Sequence, residues 1–141
     1  MKEVAILCVD DEEIVLRSLR RELNRTLGDE YIIETAAGGE DALEVFEELL
    51  QEGYEVPLVI ADQIMPGMKG DELLKQIHAI SPKTLKIMLT GQANMEAVTN
   101  ALNAADLYRY IPKPWERTDL ILTVKEALRS YSQDKQIEAQ N

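Results

Sequence analysis

Five polar side chains follow short apolar stretches of this sequence, and together they could hold and transfer a phosphoryl group. Asp10 and Asp11 end the first stretch, Asp62 the third and Thr90 the fourth, while Lys113 comes shortly after the fifth. Each residue alone has an ordinary explanation, because Asp at a strand end is usually a cap or turn residue and an isolated Lys is usually solvated. Their shared position indicates chemistry, since the carboxyl ends of parallel strands meet at one edge of a sheet.

Three carboxylates held close together repel one another, and a bound cation removes that conflict. Oxygen ligands without His or Cys favour a hard ion, Mg²⁺ in the first place and Mn²⁺ as an alternative. Beside such an ion, the Lys113 ammonium and the Thr90 hydroxyl would neutralise and hydrogen-bond phosphoryl oxygens. A carboxylate in line with phosphorus could then act as a nucleophile and form an aspartyl phosphate.

The elements that must position these residues alternate between two patterns. Continuous apolar runs indicate strands buried on both faces, and the stretches between them repeat their apolar residues at helical spacing. The predicted strands cover residues 4–9, 31–36, 56–61, 85–89 and 107–111. The predicted helices cover residues 12–27, 40–52, 71–80, 95–103 and 116–131. Five βα units in series predict an α/β fold, a doubly wound five-stranded parallel sheet of the flavodoxin-like type.

Residues 1–131 are expected to form one domain. Gly28 and Gly53 mark the ends of the first two helices, and Pro57 is compatible with a strand only near its beginning. Residues 132–141 lose the apolar stripe. They are interpreted as the end of the last helix or as a linker toward an absent effector.

Composition excludes several classes of function. The chain has 141 residues with 15 basic and 26 acidic side chains, a net charge of −11 that argues against direct binding of nucleic acid or anionic lipid. Its one cysteine, Cys8, lies in an apolar run and is expected to be a buried, inert thiol. The N-terminus matches neither a signal peptide nor a membrane span, so a cytoplasmic protein is expected. His78 is expected to be an ordinary surface histidine.

Four stretches, taken in order, resemble the receiver (CheY-like) domain of bacterial two-component response regulators over residues 4–131. Each contains one of the polar strand ends or the loop that follows it. They are Val9-Asp10-Asp11, Asp62-Gln63-Ile64-Met65-Pro66-Gly67-Met68-Lys69-Gly70, Met88-Leu89-Thr90-Gly91 and Tyr110-Ile111-Pro112-Lys113-Pro114-Trp115.

The resemblance implies a role for each aspartate. Asp62 looks like the phospho-acceptor, Asp11 like a direct Mg²⁺ ligand, and Asp10 like a residue that holds the ion largely through water. The backbone carbonyl of Ile64 would complete the protein ligands.

It also implies a switch in which Thr90 bonds a phosphoryl oxygen, Lys113 pairs with the phosphoryl group and Tyr110 changes rotamer. The Lys113–Pro114 bond would be cis, as in the family.

Two residues in this pattern bear on how long the phosphoryl group persists. Ile64 and Gln92 stand two residues beyond the acceptor and the threonine, where side chains tune dephosphorylation in this family. An apolar Ile64 cannot orient a water molecule, whereas the amide of Gln92 could. Lys69, where relatives often carry an acidic residue, is expected to be a surface change of little consequence.

The implied function is a signalling switch rather than an enzyme, with self-phosphorylation and autodephosphorylation as its only reactions. The phosphoryl donor would be a sensor histidine kinase or phosphotransfer protein. The surface of the fourth helix, fifth strand and fifth helix would then meet an effector domain, a partner protein or a second copy of the chain. The stretch from Leu107 to Trp115 looks like receivers attached to HD-type cyclic-dinucleotide phosphodiesterases or other enzymatic outputs.

Two other classes of function stay open from the residues. One is a Mg²⁺-dependent phosphohydrolase with Asp62 as nucleophile, although Gln63-Ile64 replaces the second acid of an Asp-x-Asp motif. The other is a flavin or nucleotide binder, although no glycine-rich loop follows the first strand.

Overall fold

The structure, a computed structural model, describes residues 3–91 and 95–140. Within these residues one parallel sheet has the strand order β2-β1-β3-β4-β5. The strands are β1 (Val4–Val9), β2 (Ile32–Ala36), β3 (Glu55–Asp62), β4 (Leu85–Thr90) and β5 (Arg109–Pro112). The helices are α1 (Glu13–Leu27), α2 (Gly39–Gln51), α3 (Gly70–Ile80), α4 (Met95–Ala104) and α5 (Arg117–Gln140), with a 3₁₀ turn at Gly28–Glu30. The predicted doubly wound α/β fold is confirmed.

The apolar runs form strands buried on both sides because helices cover both faces of the sheet. On one face, alternate residues of β1, β3 and β4 pack against α2, α3 and α4 around Phe46. On the other face, the remaining strand residues, including Cys8, pack against α1 and α5. Burial raises the pKa of the Cys8 thiol to about 12, so the expectation of an inert thiol is confirmed.

Pro57 lies where β3 begins, as expected for a residue without a backbone N–H. The pairing of β1 with β3 moves from Val4 opposite Glu55 to Ile6 opposite Leu58, so the register shifts around the proline. Beyond this irregularity the ladder runs regularly to Val9 opposite Ala61, which brings the ends of the two strands together.

The predicted start of the fifth strand was wrong, whereas the last helix runs on through residues 132–140, which were interpreted as its end or as a linker. The fifth strand begins at Arg109 rather than at residue 107, because the Leu107 N–H still donates to the Ala101 carbonyl at the end of α4. The last helix continues past residue 131 to Gln140, since the sequence there contains no Gly or Pro to stop it. Lys135 of this extension forms an ion pair with Glu55 at the start of β3.

His78 is not an isolated surface residue. It is half-buried on α3, and its Nδ1 lies 3.0 Å from Nζ of Lys86, a lysine of β4 that is almost completely buried. Burial lowers the pKa of Lys86 to about 8, against the smaller opposing effect of Asp106. The pair lies at the amino end of β4, away from the carboxyl ends of the strands.

In the described part of the chain, no helix has both the length and the apolar character needed to cross a membrane.

Candidate phosphoryl-acceptor site

Three aspartates come together at the carboxyl ends of β1 and β3. Asp10 directly follows β1 and is fully buried, Asp62 is the last residue of β3 and is buried, and Asp11 is exposed. One carboxylate oxygen of each lies within 4.8 Å of one from each of the others. The sheet register produces this closeness, because β1 and β3 are neighbours that end side by side. The sequence prediction that these carboxylates share one site is confirmed in its geometry.

Lys113 reaches the same site from the loop after β5. Its Nζ lies 2.7 Å from Oδ2 of Asp10 and 3.2 Å from Oδ1 of Asp62. Its backbone N–H donates to the Thr90 carbonyl over 2.8 Å, which ties the loop to the end of β4. The peptide bond between Lys113 and Pro114 is cis, as the resemblance implied.

The charges of the cluster are strongly coupled. Burial and the neighbouring Asp10 carboxylate raise the pKa of Asp62, and the Lys113 ammonium only partly opposes them. For Lys113, burial alone lowers the pKa, but hydrogen bonds and charge attraction from Asp10 and Asp62 together outweigh it and raise the pKa. The lysine is therefore cationic at neutral pH, and Asp62 gives up its proton less readily than an ordinary aspartate.

The donor set fits a divalent hard cation. Three ionised carboxylates and one ammonium leave two negative charges uncompensated, which is the charge of one such ion. All the ligand atoms are oxygens, as Mg²⁺ prefers. Asp11 is exposed and can be reached directly. In contrast, both oxygens of Asp10 already accept hydrogen bonds, one from the Glu12 N–H (2.9 Å) and one from Lys113.

The two predicted switch residues differ in burial. Thr90 is the last residue of β4 and is buried, next to Asp62 through the pairing of β3 with β4. Tyr110 lies on the edge strand β5 opposite Met88, and its side chain is 43% exposed. Gln92 lies outside the described residues.

The loop after Asp62 is held by close backbone contacts. Gly67 has a φ of +76°, which favours glycine at the turn after Met65-Pro66. Gly70, the first residue of α3, packs against Asp62, and a Cβ on it would lie 2.3 Å from the Asp62 carbonyl oxygen. Met65 is buried, whereas the side chain of Ile64 is exposed.

Gln63 directly follows Asp62 and is only 2% exposed, although the sequence pattern predicted no role for it. Its side-chain oxygen accepts from the Asp71 N–H over 2.7 Å, and its side-chain nitrogen donates to Oδ1 of Asp71 over 3.1 Å. A glutamine among loop residues looks solvated in a single sequence, so no signal could have revealed this pair.

Trp115 packs in the loop after β5. Its ring lies against the core on the α1–α5 side of the sheet, and its indole N–H donates to Oε2 of Glu22 on α1 over 2.9 Å. Together with Val15, Ile14 and Pro114, it lines a groove of about 530 Å³ that reaches Lys113.

The sequence of residues 6–125 matches the response regulator receiver domain family. This chain belongs to that family. Receiver domains act in phosphorylation-dependent signalling by two-component systems, where they interact with histidine kinases and output domains. They bind Mg²⁺ at an acidic pocket, and the three aspartates form such a pocket in this receiver domain.

Curated relatives are mostly longer regulators. The receiver domain is 35% identical over 133 residues to the hydrogenase transcriptional regulatory protein HoxA of Bradyrhizobium diazoefficiens, covering 94% of this chain and 26% of that protein. It is 29% identical to the DNA-binding transcriptional regulator NtrC of Escherichia coli K12, covering 96% of this chain and 27% of that protein. The chain thus spans about a quarter of the length of these relatives.

Solved structures confirm the CheY-like fold. The signal receiver domain of an HD domain-containing protein from Pseudomonas fluorescens has a TM-score of 0.84 and 31% identity, with 96% of this chain and 94% of that one covered. A CheY-like response regulator receiver domain protein from Methanospirillum hungatei has a TM-score of 0.82 and 33% identity, with 94% of this chain and 99% of that one covered.

Proposed function

We propose that this receiver domain accepts a phosphoryl group on Asp62 from the phosphohistidine of a sensor histidine kinase or phosphotransfer protein. The observation that supports this most is the position of Lys113, whose ammonium contacts both Asp10 and Asp62 within the cluster of three carboxylates. An acceptor carboxylate beside a cation, at a strand end open to solvent on the Asp11 side, is suited to receive a phosphoryl group.

In the proposed reaction, an oxygen of the ionised Asp62 attacks phosphorus, the phosphorus–nitrogen bond breaks and the donor imidazole leaves. Lys113 moves its hydrogen bond from Asp62 to a phosphoryl oxygen, and Thr90 donates its hydroxyl to another. Mg²⁺, or Mn²⁺ in its place, supplies charge neutralisation when bound. Asp11, Asp62 and the Ile64 carbonyl would hold the ion directly, and Asp10 would act largely through water because its own oxygens are already hydrogen-bonded.

We propose that the donor approaches over the groove beside Lys113. Ile14 on α1 is 74% exposed although it is apolar, and Pro114 and Trp115 extend the apolar surface on the other side of the groove. This surface adjoins the acceptor site, so a helix bearing the phosphohistidine could contact it while reaching Asp62.

The output would follow from a shift in population between two conformations. A phosphoryl group adds roughly −1.5 to −2 charges and draws Thr90 and Lys113 toward it. The space that Thr90 leaves would let Tyr110 turn inward and change the surface of α4, β5 and α5. Several large apolar side chains are exposed on these elements, as a surface for a partner requires: Met95, Leu102, Tyr110 and Leu122.

The partner on the α4-β5-α5 surface would be an effector domain, a separate protein or a second copy of the chain in a homodimer. An HD-type phosphodiesterase is our proposed output, supported by the likeness of residues 107–115 to such receivers and by the structural relative from an HD domain-containing protein. Residues 1–131 would form the receiver and residues 132–141 would lead toward the effector. We place the protein in the cytoplasm, with no nucleic acid or membrane contact of its own.

The acceptor is tested by intact mass after incubation with acetyl phosphate and Mg²⁺. Wild type should gain one phosphoryl group, and it should gain none when Mg²⁺ is removed from the reaction mixture before the donor is added. Asp62→Asn should gain none, while the matched control Asp41→Asn, at an exposed position of α2, should behave as wild type. Equal labelling of Asp62→Asn would overturn the assignment. Continuous release of phosphate from small esters would instead favour the phosphohydrolase.

Trp115 reports on the same site independently. It is the only tryptophan and lies two residues from Lys113. Beryllofluoride, a phosphoryl mimic, should change its fluorescence saturably in the presence of Mg²⁺, and Asp62→Asn should abolish that change.

A further inference from the structure

Gln63 and Asp71 form a hydrogen-bonded pair that closes the loop after the acceptor. The Gln63 side-chain oxygen accepts from the Asp71 N–H (2.7 Å), and its nitrogen donates to Oδ1 of Asp71 (3.1 Å). The same Oδ1 also accepts from the Glu72 N–H (3.0 Å), which fixes the Asp71 rotamer. Two side chains eight positions apart thus hold each other at both ends of one loop.

The pair also completes the start of α3. The residue before this helix, Lys69, offers no side-chain cap, and Asp71 is the second residue of the helix. The first N–H groups of a helix have no partner within it. Gln63 supplies an acceptor to one of them from outside the helix, so the helix start and the acceptor strand depend on the same side chain.

The backbone of Gln63 is held as firmly as its side chain. Its N–H donates to the Leu89 carbonyl on β4, and its carbonyl accepts from the Gly70 N–H, each over 3.1 Å. The next residue is Ile64, whose exposed side chain makes no anchor, and then comes the buried Met65. The backbone of Ile64 is therefore positioned by its two buried neighbours.

We propose that Gln63 is a positioning residue, which through its pair with Asp71 orients the Ile64 carbonyl toward the metal and fixes the backbone of Asp62. This inference rests on the proposed function, in which that carbonyl is a metal ligand. Residues that orient a metal ligand typically change metal affinity by about 10–100-fold when they are replaced. A residue that merely stabilised the fold would leave the affinity of the folded protein unchanged.

The test measures Mn²⁺ affinity, from the electron paramagnetic resonance of the free ion, in the full chain without a phosphoryl donor. Gln63→Leu should weaken Mn²⁺ binding by roughly tenfold. Asp71→Ala should weaken it by a smaller factor, while Asp71→Asn, which keeps an acceptor oxygen, should bind as wild type. Gln51→Leu, at the exposed end of α2, is the matched control and should also bind as wild type.

A double-mutant cycle separates a coupled pair from two independent effects. Gln63→Leu/Asp71→Ala should bind Mn²⁺ no more weakly than Gln63→Leu alone, because the second change removes a contact that is already lost. Unchanged affinity in both single variants, or additive losses in the double variant, would overturn the inference. If Gln63→Leu does not fold, Asp71→Ala and Asp71→Asn still decide it.

Failure of the inference can be told from failure of the proposed function. If wild type binds Mn²⁺ and takes up phosphoryl groups from acetyl phosphate while the variants match it, only the role of Gln63 is wrong. If wild type does neither, the proposed function itself fails.

Discussion

The ammonium of Lys113 lies 2.7 Å from Oδ2 of Asp10, a carboxylate that is completely buried. A buried carboxylate without a partner would be very unfavourable, so the ion pair with the lysine compensates the burial of Asp10 beside a second aspartate. The same ammonium is 3.2 Å from Asp62, where it can pass to a phosphoryl oxygen. Under the proposed function, this contact therefore stabilises the unphosphorylated site and places the cation that would meet the phosphoryl group.

The first prediction concerns the free energy of unfolding of Asp62→Asn in metal-free buffer. Because the pKa of Asp62 is raised in the folded state, by burial and then by Asp10, that state binds more protons than the unfolded chain above the unfolded pKa. The stability that the protonated form contributes is thus lost as pH rises from about 4 through the folded pKa. Asp62→Asn should lack this loss and melt at a higher temperature than wild type at pH 7.

Magnesium should act against that order by stabilising wild type more than Asp62→Asn. A ligand at ten times its dissociation constant stabilises the folded state by about 1.4 kcal/mol. Wild type should show this stabilisation as a higher melting temperature when Mg²⁺ is added. Asp62→Asn should be stabilised less, because one carboxylate ligand is missing. A variant that is less stable than wild type in metal-free buffer at pH 7 would contradict the prediction.

The second prediction concerns the buried Lys86. Its pKa is lowered to about 8 by burial, so between pH 8 and the ordinary lysine value the unfolded chain binds more protons and wild-type stability should rise with pH. Below pH 8 the folded state carries the Lys86 ammonium as an unfavourable buried charge. Lys86→Met should raise the free energy of unfolding at pH 7 by about 2 kcal/mol. This value is smaller than the free energy that corresponds to the whole pKa shift of Lys86.

Urea titrations at pH 7 and pH 10 measure this difference. Lys75→Met, at an exposed position of α3, is the control for replacing a lysine and should change the free energy of unfolding little at either pH. The expectation is wrong if Lys86→Met destabilises the chain at pH 7, which would mean that the contact with His78 outweighs the cost of burial.

The third prediction concerns Gly70, which has no room for a side chain. A Cβ would lie 2.3 Å from the Asp62 carbonyl oxygen, and that backbone must move to accept it. Gly70→Ala should lower the free energy of unfolding by about 1–3 kcal/mol, as overpacking does, and should slow phosphorylation by acetyl phosphate. Gly38→Ala is the control, because its Cβ would meet nothing within 4 Å. A Gly70→Ala protein phosphorylated at the wild-type rate would show that the acceptor backbone tolerates the displacement.

The fourth prediction concerns Ile14 and the approach of the donor. Ile14→Glu should reduce phosphoryl transfer from a purified phosphodonor protein by about tenfold, equivalent to about 1.4 kcal/mol of lost contact. Phosphorylation by acetyl phosphate should stay unchanged, because a small donor does not need the groove. Leu122→Glu, at another exposed apolar position, on α5, should leave both rates unchanged. If Ile14→Glu slowed phosphorylation equally with the phosphodonor protein and with acetyl phosphate, the substitution would act on the acceptor site and not on docking of the donor protein.

The positions of the three inner strands, β1, β3 and β4, followed directly from the sequence, because a strand buried on both faces must be apolar almost throughout. The polar residue that ends each of these three runs then marks the edge where the site forms, as Asp10, Asp62 and Thr90 do. The end of the last helix was less predictable, since its extension is stabilised by Lys135 with Glu55, a contact from distant parts of the chain.

The sequence by itself determined the fold class and the residue types at the acceptor edge, because the alternation of apolar runs and helical stripes leaves one way to bury both faces of a sheet. Only the tertiary structure decided which partners the buried polar side chains found. The pairing of Gln63 with Asp71, of Lys86 with His78 and of Trp115 with Glu22 each joins separate elements. A hydrogen bond between residues far apart in the chain depends on packing geometry, and no local pattern encodes it.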